Sequence, residues 1–254
     1  MNGQIEQMSN IVISARKALY LNCAIDFVPR EYVLSIRFLF APKFLGLGAV
    51  EAVSVGDWFD ICNRRGLKDI KFIIPTAVDS YRFLGLSNTS QGLIVCFWKN
   101  GKVSCFSPWW EVDFKREGWN VVYRETVGIN LEKEETVFVD RAEEFKGVLS
   151  DIGRFSTDLG FPFFSDRFQK ARDALCDSTL VESDGVPKNL PDKFKGIYYA
   201  IDISDVFGAM GSWNDSPSWY AHEKGLYKEY NELSGRLLQQ IRYSLMHVVN
   251  ECWR

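Results

Sequence analysis

Two histidines, six cysteines and a few closely spaced carboxylates are the residues of this 254-residue chain with the most obvious chemistry. His222-Glu223 opens like the HExxH zinc motif, but position 226, where the second ligand belongs, is Leu226. A zinc site would need ligands from distant segments, so His222 and His247 are expected in structural or surface roles. Asp57 with Asp60, and Asp202 with Asp205, are spaced i,i+3, which places each pair on one helix face. Carboxylate hydrolysis needs such a pair in a cleft that pushes their pKa values apart. Caps and solvated helix faces use the same spacing, and they are the expected role here. Gly46-Leu47-Gly48-Ala49-Val50-Glu51 misses the dinucleotide fingerprint, because Glu51 stands where the third glycine would pack and a pyrophosphate would sit. Neither GxSxG nor GxxxxGK[ST] occurs. No cofactor and no metal is expected.

The six cysteines, Cys23, Cys62, Cys96, Cys105, Cys176 and Cys252, include no CxxC pair. They read as buried free thiols in a reducing compartment rather than a disulfide framework. Residues 1–7 lack the basic and apolar regions of a signal peptide. The most apolar stretch, 32–55, is broken by Arg37, Pro42, Lys43 and Glu51, so no spanning helix is expected. The expectation is a soluble, cytoplasmic protein. Net charge is −3, and the cluster Arg64, Arg65, Lys68, Lys71 is short and interrupted by Asp69. That is not the basic stripe of a nucleic-acid binder.

The elements that must position these residues follow from periodicity. Apolar residues make up 46% of the chain and aromatics 15%, enough for a substantial core. Helices are expected over 5–21 and 57–65, the second stopped by Gly66, with a strand over 70–74. Residues 32–40 are too uniformly apolar to assign between helix and strand. Asn100-Gly101 predicts a two-residue type I′ turn, which would place Cys96 opposite Cys105 and Trp98 opposite Val103. Residues 119–125 would add a third antiparallel strand. Beyond the acidic run Glu132, Glu134, Glu135, helical spacing takes over. Phe145 to Phe155, Phe164 to Leu175 (with Ser165 and Asp166 near its cap) and Phe194 to Ile201 each mark a face. The stripe Leu226, Tyr230, Leu233, Leu237, Ile241, Leu245, Val248, Cys252 predicts a long amphipathic final helix that tolerates Gly235. The expected fold class is α+β. A mixed N-terminal region with an antiparallel β-meander (1–130) is followed by a mainly helical region (131–254) packed against it.

Trp98, Trp109, Trp110 and Trp119 fall on or beside the expected sheet. Adjacent Trp109 and Trp110 point to opposite faces of an extended strand, so one of them is a candidate interface anchor. Residues 205–215 read DVFGAMGSWND. Their glycines permit a sharp reversal, Trp213 can anchor it to the core, and Asn214 or Asp215 can start the next helix. This segment resembles a VFGxMGSWND-like stretch in uncharacterised bacterial proteins, some of toxin-immunity type. The resemblance spans roughly residues 190–252 and brings no catalytic residue with it. It implies a toxin-immunity neighbourhood rather than a mechanism.

Three functions are therefore carried forward. The first is a protein-binding, immunity-type role, with Trp109, Trp110, Trp213, Asn214 and Asp215 as candidate contacts. The second is a hydrolase that gathers dispersed carboxylates around His222. The third is a self-associating protein that buries the final helix's stripe against a second copy. The partner expected is a protein, with neither nucleic acid nor membrane.

Overall fold

A computed structural model describes residues 1–42, 50–76, 92–129, 137–181, 185–208 and 210–254. The acidic run 132–135 and the glycine pair at 46 and 48 lie outside these residues. The fold is α+β and divides into two compact units. One comprises Asn2–Ile74, the described residues up to Phe138, and Val249–Arg254; the other comprises Met1, Pro75, Thr76 and Val139–Val248.

The first unit is built on a six-stranded sheet. Its strands are β1 (Val33–Leu39), β2 (Glu51–Ala52), β3 (Leu67–Ile73), β4 (Leu93–Trp98), β5 (Val103–Asp113) and β6 (Gly118–Val127), in the spatial order β2-β1-β6-β5-β4-β3. Strands β4 to β6 form the expected antiparallel run, and β3 extends it by pairing antiparallel with β4. The sheet as a whole is mixed, however, because β1 pairs parallel with β6. The ambiguous segment 32–40 is thus a strand, and its pairing with a distant segment is a tertiary choice that local periodicity cannot express. Helix α1 (Gly3–Leu21) is capped by the Asn2 side chain, and α2 (Val55–Arg64) by Ser54, whose hydroxyl accepts from the Asp57 amide. Gly66, at φ 85°, ends the α2 region as expected. One sheet face is an aromatic core in which Phe38 stacks between Trp58 of α2 at 4.7 Å and Tyr123 of β6 at 4.8 Å. Gln7 of α1 donates to the Tyr123 hydroxyl at 3.0 Å.

The hairpin register corrects the two-residue turn. Only Gly101 takes a positive φ, 78°, while Asn100 does not, so a type I′ turn is excluded. Trp98 N–H donates to the Lys102 carbonyl across a three-residue loop. Pairing slides by one residue, placing Cys96 opposite Ser104 and Val95 opposite Cys105. Since successive residues alternate faces, Cys96 and Cys105 lie on opposite sides of the sheet. All six thiols are free.

Strand β3 is a sheet edge, and side chains close it. Asn250 donates to the Phe72 carbonyl and accepts from the Phe72 N–H, both at 2.7 Å, as a neighbouring strand would. Arg16, fully buried, donates to the Ile70 carbonyl at 2.8 Å and to Asp69 at 2.9 Å. An open edge invites pairing with other chains, and these contacts occupy it.

The second unit is helical: α3 (Ala142–Leu159), α4 (Pro162–Cys176), a 3-10 turn at Ser178–Leu180, α5 (Asp192–Ser204), α6 (Ser216–Glu223) and α7 (Tyr227–Glu251), the end of which belongs to the sheet unit. Gly160, at φ 99°, closes α3, and Pro162 then opens α4 at its first turn. Ser165 and Asp166 are therefore inside α4 and not at its cap. The α7 stripe from Tyr230 to Cys252 is buried within the chain and has no unpartnered face to offer a second copy. No helix among the described residues is long and apolar enough to cross a membrane.

Candidate functional site

The described residues of segment 205–215 form a closed loop tied to the helical core. Trp213 is fully buried among Phe155, Phe164 and Phe168 and stacks on Tyr230 at 5.5 Å. Its indole N–H donates to Ser234 Oγ at 2.8 Å, and the Tyr230 hydroxyl donates to its carbonyl at 2.8 Å. The Trp213 amide returns to the Val206 carbonyl, closing the loop. Asn214 and Asp215 turn inward on the same loop, accepting from the Gly208 and Gly211 amides. Of the candidate contacts from the sequence, these three hold the loop's shape. Trp213 presents no surface to a partner, and Asp215 spends its carboxylate on Gly211 rather than on capping α6.

The two strand tryptophans divide as the alternation of β5 requires. Trp109 is 64% exposed. Trp110 is half-buried, its ring edge-on to Trp119 at 6.0 Å. On the outer face Trp109 sits across from Val122 of β6, which in turn pairs with Arg37 of β1. Arg37 is engaged with Glu51 at 3.2 Å.

A larger exposed aromatic surface lies on the helical unit, where the sequence reading placed no contact. Pro162 fixes the start of α4, and the next residues are Phe163 and Phe164. Neighbours on a helix point roughly 100° apart, so both cannot face the core. Phe164 packs against Trp213 at 5.2 Å, and Phe163 is left 64% exposed. In α6, Pro217 and Ala221 are the buried pair, four residues apart. That turns Trp219 and Tyr220 outward, 58% and 45% exposed. The rings touch in sequence: Phe163 to Phe164 at 5.4 Å, Phe164 to Phe161 at 6.4 Å, Phe161 to Tyr220 at 5.3 Å and Tyr220 to Trp219 at 4.9 Å. The result is a ridge with exposed rings at both ends and a buried middle. Its outward rings together expose on the order of 300–400 Å², divided between the two ends of the ridge. The core contacts of Phe164 and Ala221 keep the ridge rigid. Lys224 fixes the end of α6 by donating to the Leu159 carbonyl at 3.0 Å at the C-terminus of α3. The legible signal was the adjacency of large rings after a helix-starting proline, in Pro162-Phe163-Phe164 and Pro217-Ser218-Trp219-Tyr220.

The carboxylate sites do not assemble around His222. Its imidazole is largely exposed and faces Glu223 at 3.7 Å, and no hydrogen bond or ion pair joins it to Asp202, Asp205 or Asp215 among the described residues. Asp57 accepts from the Ser54 hydroxyl at 2.8 Å at the start of α2, and Asp60 is exposed. Asp202 and Asp205 lie near the Met1 amino group, at 3.0 and 4.0 Å. Burial raises the Asp205 pKa, and the Met1 amine opposes that rise. His247 packs edge-on to Phe194 at 5.8 Å. Among the described residues no group of three His, Cys, Asp or Glu side chains is placed to hold a metal.

No family model, no curated protein and no solved structure matches this chain.

Proposed function

We propose that this chain is a protein-binding protein that engages its partner through the aromatic ridge Phe163, Tyr220 and Trp219. The observation that carries the reading is the ridge itself: a chain of ring contacts, anchored in the core through Phe164, that fixes exposed Phe163 at one end and exposed Tyr220 and Trp219 at the other. Interface hot spots are enriched in Trp and Tyr, and rigid rings lose little entropy on binding. The ridge covers about half of the roughly 800 Å² that one side of a standard interface buries, so polar residues around it complete the contact. Segment 205–215, which resembles a stretch of immunity-type proteins, leads directly into α6 and sets where Trp219 stands. A toxin is therefore the partner to try first.

The test is capture from the source cells with three tagged versions: wild type, the double variant Phe163→Ser/Trp219→Ala, and Trp109→Ala. The proposal expects one stoichiometric protein with wild type and Trp109→Ala, and its loss with the folded double variant. Equal capture by all three would remove the ridge as the binding surface.

A further inference from the structure

The sheet unit contains a cavity of about 600 Å³ with a strongly one-sided charge. Arg64, Arg65 and Lys102 line it together with the apolar surfaces of Pro42, Val103 and Val127, and among the described residues no Asp or Glu is in its wall. A volume of that size lies in the range of small-molecule sites. We propose that this cavity binds a phosphorylated small molecule. Arg64 and Lys102 grip the phosphate, Arg65 forms the fixed floor, and the apolar wall receives the organic part.

The floor is a built feature. Arg65 forms a bidentate pair with Glu125, with both N–O distances 2.9 Å. The Glu125 side chain is fully buried and also accepts from the Ser104 hydroxyl at 2.9 Å and the Ala41 amide at 3.0 Å. The guanidinium carbon lies 4.7 Å from the Trp98 ring and 4.9 Å from the Phe40 ring. Arg65 therefore cannot swing away, yet 27% of its side chain remains exposed where it lines the cavity. A planar, always-charged fork held in place is the preferred donor for phosphate oxygens.

Charge then selects the ligand class. Glu125 neutralises one of the three cations. Arg64 and Lys102 form no ion pair among the described residues. The C-terminus of α2, beside Arg64, contributes roughly half a negative charge. The balance is about +1.5, which matches a phosphomonoester at about −1.5 to −2 better than a single carboxylate. The apolar wall favours an organic phosphate over the bare ion.

Calorimetric titration of the full chain at low salt tests this with three probes: adenosine monophosphate, adenosine and inorganic phosphate. The expected result is saturable binding of adenosine monophosphate, weaker binding of phosphate and none of adenosine. Arg64→Ala and Lys102→Ala should each weaken adenosine monophosphate by at least about tenfold, the loss expected for one charge-assisted contact. Both residues are exposed, so the melting temperature should hold and confirm that the variants fold. Absence of heat with adenosine monophosphate and phosphate at millimolar concentration would overturn the proposal. So would equal affinity for adenosine and its monophosphate, or an affinity unchanged in the two variants.

Discussion

Trp213 and Trp219 sit on the same stretch of chain and do opposite jobs. Trp213→Ala removes a fully buried ring and strands the Ser234 hydroxyl, so it should cost about 3–5 kcal/mol in urea unfolding. Trp219→Ala should change stability by no more than about 0.5 kcal/mol, because surface substitutions away from special features seldom do more. Equal losses for the two would contradict the packing described. The thiols give a second contrast. Cys23 and Cys176 are exposed and the other four are buried, with burial pushing Cys252 up to about 11. A thiol reagent at neutral pH should titrate two cysteines in the native protein and six in denaturant; more than two in the native state would refute the burial pattern. Lys71 is a buried cation near Arg16, Asp69, Glu251 and Arg254, and burial is the first cause holding its pKa below the ordinary 10.5. Below the lowered folded value both states carry the proton and the full penalty applies. Between that value and 10.5 the unfolded chain binds more protons, so stability rises with pH. Lys71→Met should be more stable than wild type at neutral pH, and the difference should shrink as pH approaches 10.5; a difference that stays flat would contradict this. At this scale the sequence was only partly legible: the expectation of buried free thiols holds for Cys62, Cys96, Cys105 and Cys252, whereas Cys23 and Cys176 are exposed. For Trp213 the sequence left two roles open, core anchor and partner contact, since a tryptophan in a glycine-rich loop has no periodicity to show whether it points in or out; its full burial selects the anchor.

Elements were legible where period and punctuation agree. Helix α1, the Gly66 stop after α2, and the unbroken α7 stripe all follow from local patterns. The hairpin was half legible. Asn100-Gly101 located the turn, but one left-handed residue instead of two lengthened the loop and reversed which face each cysteine takes. The parallel pairing of β1 with β6, and the closure of β3 by Asn250, join residues far apart in sequence, and no local window contains them. Asn250→Leu keeps the branched shape and removes both hydrogen bonds, leaving the Phe72 amide and carbonyl unpaired. It should destabilise by about 1–3 kcal/mol and increase aggregation on mild heating. A variant with wild-type stability and solubility would show that β3 needs no such guard.

At the scale of the whole molecule, each of the two units presents a distinct surface. The sheet unit carries the basic cavity above the Arg65–Glu125 pair, and the helical unit carries the aromatic ridge. Neither was visible as a site in the sequence, although its parts were. Arg64 and Arg65 read as a short solvated cluster because the buried Glu125 and the rings of Phe40 and Trp98 come from other strands. Phe163, Trp219 and Tyr220 fall on none of the periodic faces read from the sequence, so periodicity gave them no role. The central claim is that Phe163 and Trp219 carry the affinity for a protein partner. The most direct measurement is calorimetric titration of the captured partner into wild type and into Phe163→Ser/Trp219→Ala, with melting curves for both. Two hot-spot rings at about 2 kcal/mol each predict a loss of affinity on the order of a thousandfold at unchanged melting temperature. A double variant that binds within about twofold of wild type would contradict the account.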